Sequence, residues 1–194
     1  MAPDSSHTTY PIYQEQLQSV NKLDHVRANL ASDSGSFKSP SPSAPLIACV
    51  ADLDNLCSRR GQRGRRARAC LDALGFLSAL RERGVTKGTV FQNQKFGDYG
   101  SKLWSAGGLK CVATGENVDP WVERAAIDYA VNGACSLILI ASDGGYDETI
   151  RAIRRCGVRV ELWALRAAIA RHLIFAADAV QWIDHFVREP QVAA

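Results

Sequence analysis

Three acid-bearing segments of this chain stand at the ends of apolar runs or at the head of a helical pattern. They are Ala51-Asp52-Leu53-Asp54-Asn55, Gly115-Glu116-Asn117-Val118-Asp119-Pro120 and Ala141-Ser142-Asp143-Gly144-Gly145-Tyr146-Asp147. Asp and Asn in such places are often only caps or turn formers. Three on one edge of a sheet, with Asp52 directly after an apolar run, point further. Clustered acids repel one another unless a cation joins them. A hard cation such as Mg²⁺ takes few protein carboxylates and completes its shell with water and phosphate oxygens. Held there, it can polarise a phosphodiester and supply a hydroxide nucleophile.

A second charged feature lies close by. Between Arg59 and Arg68 the chain reads RRGQRGRRAR, with Arg59, Arg60, Arg63, Arg65, Arg66 and Arg68 and no acid. Guanidinium groups pair with phosphates, and such contacts supply most sequence-independent affinity for nucleic acid. Gly61 and Gly64 would let the segment adapt to a flexible strand. Arginines at a helix start would oppose the helix dipole, which favours a binding role. Lys95, Lys102 and Lys110 extend the track, and Tyr99 is placed to stack a base. Trp104 reads as core, while Trp121, Trp163 and Trp182 read as core or interface residues. His7, His25, His172 and His185 lie far from the acidic segments in sequence and receive no catalytic role.

The elements that must position these groups alternate along the chain. Strand patterns cover 46–52, 85–92, 109–114, 135–142 and 158–164. Helical patterns cover 65–83, 98–106, 120–131, 146–155 and 165–177. Gly84, Gly108 and Gly157 each follow a helical pattern and precede a strand, as left-handed helix caps do. Alternation of this kind predicts a parallel sheet with helices on both faces. Ligands of such sheets bind beyond the carboxyl ends of the strands, where the acids lie.

Composition sets the limits. With 194 residues, 46% hydrophobic and 22% charged, the chain has the make-up of an ordinary globular domain. Residues 1–44 read as a separate arm, with an amphipathic helix over 13–30 and a Ser- and Pro-rich linker. Residues 45–188 are the domain and 189–194 a tail. No run reaches the roughly 20 apolar residues of a membrane helix. The N-terminus lacks the basic and apolar regions of a secretory leader, so the expected place is the cytoplasm. Six cysteines at 49, 57, 70, 111, 135 and 156 include no CxxC pair, and buried free thiols fit better than structural zinc. The apolar stretch 165–182 offers a homodimer interface.

The residues also carry a resemblance. Asp52-Leu53-Asp54-Asn55 resembles the D-x-x-N that opens NYN domains, a branch of the PIN-like nucleases. Val118-Asp119 resembles the V-D that begins their third helix, and Leu139 to Tyr146 resembles their L-V-S-G-D-S-D-F. Arg155-Cys156-Gly157-Val158-Arg159-Val160 is similar to L-R-x-x-G-x-x-V with Arg at the Leu, and Leu173 with Ala177-Asp178 to the closing L-x-x-x-A-D. The resemblance spans about 46–183. It implies a three-layer α/β/α fold (PIN-like, Rossmann-like) with a mainly parallel central sheet. It also implies Mg²⁺- or Mn²⁺-dependent cleavage of RNA, catalysed by Asp52, Asn55, Asp119 and Asp143. Asp52, Asp119 and Asp143 would hold the metal, Asn55 would position water or phosphate, and Ser142 would permit close backbone approach. Arg59, Arg60, Arg63, Arg65 and Arg66 would bind the RNA.

The family's second acid in the S-G-D-S-D-F turn falls at Gly145, with Asp147, Asp54 or Glu123 as substitutes, and Glu116 stands where relatives often carry Lys. Two alternatives stay open. One is a PIN-like module that binds RNA or a protein without cutting. The other is a haloacid-dehalogenase-like phosphatase with Asp52-Leu53-Asp54 as its nucleophile loop, although no lysine follows Lys110 to hold the phosphoryl group.

Overall fold

The structure is a computed structural model that describes residues 45–60, 66–68, 70–96, 101–115 and 117–188. The N-terminal arm, the tail, Arg63, Arg65, Tyr99 and Glu116 lie outside the described residues. In chain order the elements are β1 (Ile47–Asp52), α1 (Leu53–Cys57), β2 (Ser58–Arg60), β3 (Arg66–Arg68), β4 (Cys70–Leu71), α2 (Ala73–Glu82), β5 (Lys87–Asn93) and α3 (Ser101–Ala106). There follow β6 (Lys110–Thr114), α4 (Asp119–Val131), β7 (Ser136–Ile140), α5 (Asp147–Arg155), β8 (Arg159–Ala164), α6 (Arg171–Ala176), β9 (Ala179–Trp182) and β10 (Val187–Arg188).

Six strands form one sheet in the order β6-β5-β1-β7-β8-β9, and every pairing in it is parallel. Strands buried on both faces need apolar residues at every position rather than alternate ones, which is why Ser136–Ile140 reads SLILI. One face packs Val50, Leu139 and Leu162 against Val122 and Ala126 of α4, Ile150 of α5 and Leu173 of α6. The other packs Ala51, Val90, Ile138 and Trp163 against Phe76 of α2 and Trp104 of α3. Phe76 stands edge-on to Trp104, Trp163 and Phe186 at 5.9, 5.5 and 5.5 Å. This is a three-layer α/β/α arrangement. No helix among the described residues is long and apolar enough to cross a membrane.

The strand order fixes where a ligand can sit. From β1 the chain builds outward through β5 to β6, then returns by α4 to β7 on the opposite side of β1. Connections on the two sides of the β1/β7 boundary therefore lie on opposite faces. The carboxyl ends of these two strands are the usual ligand position of such sheets. Gly84, Gly108 and Gly157 have φ of 78°, 86° and 80°, in keeping with their expected role as caps.

Two expected helices are shorter than their patterns. The 65–83 pattern becomes β3, β4 and a helix that begins only at Ala73, where the Asp72 carboxylate accepts the Gly75 N–H at 3.1 Å. The 165–177 pattern becomes one turn and then α6. The N–H groups of Ala168 and Ile169 both donate to Leu165 O, but that of Ala170 donates to Ser142 O at 3.0 Å. That tertiary bond interrupts the helix. The strand β9 that follows, and the β4–β10 pair, were not expected.

Candidate functional site

Asp52 is the last residue of β1, the strand that borders the switch point. Its backbone ladder with β5 fixes its position, and Leu53 and Leu56 beside it are fully buried. Asp52 as a whole is only 1% exposed. Asn55, one turn on, donates its backbone N–H to Asp52 Oδ1 at 3.1 Å and its side-chain amide to Oδ2. The amide of Asn55 is thus committed to orienting Asp52. Asp119 is the first residue of α4, where the following Pro120 has a φ already suited to a helix start. Asn117 donates to Asp119 Oδ2 at 3.0 Å and accepts the Asp119 N–H at 3.4 Å.

These two carboxylates meet at one atom. The buried hydroxyl of Tyr146 lies 2.9 Å from Asp52 Oδ2 and 2.9 Å from Asp119 Oδ1. Tyr146 closes a 3₁₀ turn, Gly144–Tyr146, directly after β7. Three carboxyl-end connections therefore converge, after β1, β6 and β7. A phenol has one proton and cannot donate to both acceptors. If both carboxylates are ionised, one of the 2.9 Å contacts is oxygen against oxygen. Burial raises the Asp52 pKa from 3.8 to about 6, and the charge of Asp119 adds to this; hydrogen bonds from Asn55 and Tyr146 act against it. Burial and the two carboxylates push the Tyr146 pKa far upward, so the phenol keeps its proton. The half-buried Glu123 is also raised, first by burial, with Asp119 and Glu148 adding repulsion and a hydrogen bond from Thr149 opposing.

The other expected residues are placed differently. Asp143 is exposed and its Oδ1 accepts the Gly145 N–H at 3.4 Å, a cap on the turn that carries Tyr146. Asp54 accepts the Asn93 N–H with both oxygens at 3.1 Å, which ties α1 to β5. Asp147 pairs with Arg151 at 3.7 Å. Asp178, from the expected closing motif, is structural: it holds Arg154 at 2.7 Å and accepts the Val160 N–H at 2.8 Å. Among the described residues no group of three or more His, Cys, Asp or Glu side chains is placed to hold a metal ion. The acids drawn together are a pair, Asp52 and Asp119. Ser142 Oγ, at the end of β7, is buried with no hydrogen-bond partner among the described residues.

Of the arginine run, the described residues Arg59, Arg60, Arg66 and Arg68 lie on a ribbon, not at a helix start. β2 and β3 pair antiparallel, with Arg59 opposite Ala67, Arg60 opposite Arg66 and Ser58 opposite Arg68. The ribbon follows α1 without a break, beginning six residues after Asp52. Trp104 and Trp163 are core, whereas Trp121 is 47% exposed. Trp182 is half-buried, with the Arg166 guanidinium 5.0 Å from its ring centre. His172, distant in sequence, has Nε2 2.9 Å from Gly144 O and so touches the acidic turn. The residue that sequence reasoning passed over is Tyr146. Its place in the Leu139–Tyr146 motif was visible, but not that its hydroxyl would join two acids from other loops.

No protein-family model matches the chain, and no curated protein matches it. A solved structure of a protein of unknown function from Vibrio parahaemolyticus is similar over 76% of this chain and 99% of that one, at 19% identity and a TM-score of 0.61. A hypothetical protein from Xanthomonas campestris aligns over 76% of this chain and 82% of that one, at 13% identity and a TM-score of 0.41. The likeness to the Vibrio protein is one of fold.

Proposed function

We propose that this chain is a divalent-metal-dependent ribonuclease whose Mg²⁺ or Mn²⁺ binds at the β1/β7 switch point. The observation that carries the reading is the meeting of Asp52 and Asp119 at the single hydroxyl of Tyr146. Two carboxylates completed by water and substrate phosphate make a usual Mg²⁺ site. The donor set fits in a second respect: two acids share one phenolic proton, so the cluster is short of positive charge. Asp52 and Asp119 would hold the ion, with Glu123, which feels the charge of Asp119, and Asp143 as further candidates. When bound, the metal would polarise the phosphodiester and favour hydroxide over water.

The chain's own residues prepare that chemistry. Asn55 and Asn117 fix the rotamers of Asp52 and Asp119, so that little ordering remains to be done on binding. Burial keeps water from screening Asp52 and strengthens its hold on a cation. Tyr146, which keeps its proton, orients both carboxylates. Arg59, Arg60, Arg63, Arg65 and Arg66, which begin seven residues after Asp52 in the chain, would supply phosphate contacts. RNA is the proposed substrate.

Labelled single-stranded RNA incubated with Mn²⁺ or Mg²⁺ tests this directly. Cleavage by the wild type is expected, with loss in EDTA and in Asp52→Asn and Asp119→Asn. Equal product in every lane refutes the reading. One observation favours a second reading, a module that binds RNA without cutting: the Tyr146 hydroxyl stands between the two acids, and no third acid joins them among the described residues. RNA binding that persists in EDTA, without cleavage under any metal, selects it.

A further inference from the structure

A groove leads away from the site along α4. Among the strands this helix packs mainly on β1 and β7, so among the described residues it leaves a cleft beside the edge strand β6 and the neighbouring part of β5. The result is an open cleft of about 610 Å³, within the ~300–1,000 Å³ of ordinary ligand clefts. Its floor is one face of β5 and β6, including Phe91 and Lys87 of β5 and Lys110 of β6. Its wall is the α4 stripe from Trp121 through Arg124 to Tyr129, residues that share a helix face.

Two features identify an occupant. The lining is aromatic where it nears the site: Trp121 is 47% exposed and stands two residues from Asp119. Tyr129 is fixed by a 3.1 Å hydrogen bond between its hydroxyl and Thr89 Oγ1, which ties the wall to the floor. The lining is also cationic. Lys87, Lys110 and Arg124 face one carboxylate, Asp128, and none of the three makes an ion pair among the described residues. Exposed aromatic surface beside unpaired cations is the composition that holds single-stranded nucleic acid, by stacking bases and contacting phosphates.

We infer that this groove binds the single-stranded RNA that flanks the scissile phosphate, with one base stacked on Trp121 and phosphates on Lys87, Lys110 and Arg124. The inference rests on the ribonuclease reading for its ligand and directs the strand along α4. Specificity for an unpaired strand follows, because stacking on Trp121 needs a base free of its neighbours.

The test is fluorescence anisotropy with a labelled single-stranded RNA in EDTA, so that binding is read without cleavage. Trp121→Ala is expected to weaken binding about tenfold, toward the low end of what a stacked base contributes. Trp121→Phe keeps a ring and is expected to lose less than about threefold. The triple variant Lys87→Gln, Lys110→Gln, Arg124→Gln is expected to lower the slope of log affinity against log salt by about two, from three single-strand phosphate contacts. Affinities and slopes equal to wild type overturn the groove and leave the metal site standing. Variants that bind RNA normally but lose self-association in sedimentation assign the groove to a second copy, which also overturns it. A wild type that binds no RNA overturns both proposals, whereas RNA binding through Trp121 without metal-dependent cleavage overturns only the nuclease.

Discussion

Replacing Asp52 with Asn is expected to make the metal-free protein more stable at neutral pH while abolishing cleavage. Burial holds the Asp52 pKa at about 6 in the folded state, against an ordinary 3.8. At about 1.4 kcal/mol per pH unit, that rise corresponds to about 3 kcal/mol. The sign follows from proton counting. Below the unfolded pKa both states hold the proton and the carboxyl costs nothing. As pH climbs toward the folded pKa, the unfolded chain ionises while the folded one keeps its proton, so stability falls. Above about pH 6 the full penalty applies. Asn cannot ionise, and its amide supplies the second hydrogen that the Tyr146 oxygen lacks, while its carbonyl still accepts from Asn55 N–H. The stability of Asp52→Asn minus that of wild type is therefore expected to grow by about 2.5 kcal/mol between about pH 4 and about pH 7.5. In melting temperature, a domain of this size would show a gap of roughly 6–12 °C at the upper pH. Urea unfolding of both proteins at the two pH values, in EDTA, measures it. Millimolar Mn²⁺ is expected to close part of the gap by stabilising only the wild type. A difference that is the same at both pH values refutes the reasoning, because the burial penalty on Asp52 would then be absent.

Three further outcomes follow from the same geometry. Tyr146→Phe removes the one donor between two acids and is expected to cost about 1–3 kcal/mol of stability at neutral pH; urea unfolding showing no loss would mean that the carboxylates do not depend on that hydroxyl. A Cβ built at Gly145 meets nothing within 4 Å, and the residue is not among the positive-φ glycines. Gly145→Asp therefore adds an acid without strain, and is expected to tighten Mn²⁺ binding about tenfold by adding ligand charge; calorimetry giving equal or weaker affinity would place position 145 outside the metal's reach. Replacing Arg59, Arg60 and Arg66 with Ala is expected to lower the salt slope of RNA binding by about two, and an unchanged slope would remove the ribbon from the RNA path.

Much of the fold was legible because a sheet buried on both faces leaves continuous apolar runs, and because caps leave glycines such as Gly84 and Gly157. The failures have local causes. The 65–83 segment is rich in Arg, Ala and Leu, all good helix formers, yet part of it pairs as a ribbon because β2 offers strand partners that propensity does not register. Segment 165–177 is of similar composition, and one hydrogen bond from Ala170 to Ser142 divides it. β9 is only four residues of partly buried chain, too short to stand out. At the site, Asp52 and Asp119 could be found one at a time, from apolar run and helix start. Their meeting could not, since it depends on Tyr146, which is 94 residues from one and 27 from the other. A buried tyrosine reads as core until its hydroxyl is located.

Asp52 is difficult to account for as a folding element. It stands in the central strand among fully buried neighbours, where ionisation opposes the fold, and Asn at that position would carry no charge, keep the bond from the Asn55 N–H and donate to the Tyr146 oxygen, at the loss of the bond from the Asn55 side-chain amide. Its contacts with Asn55 and Tyr146 reduce the penalty without removing it. What would remove it is one positive charge placed between Asp52 and Asp119. At low pH a proton supplies that charge, and Asp52, Tyr146 and Asp119 then form an unbroken chain of hydrogen bonds. At neutral pH protons are scarce and a divalent ion can take the same role, gaining the binding energy that the fold spends on keeping Asp52 ionised. On the proposed reading, the arrangement that weakens the metal-free protein would be the one that strengthens its grip on a cation, at the carboxyl ends of β1 and β7, where ligands of such sheets bind.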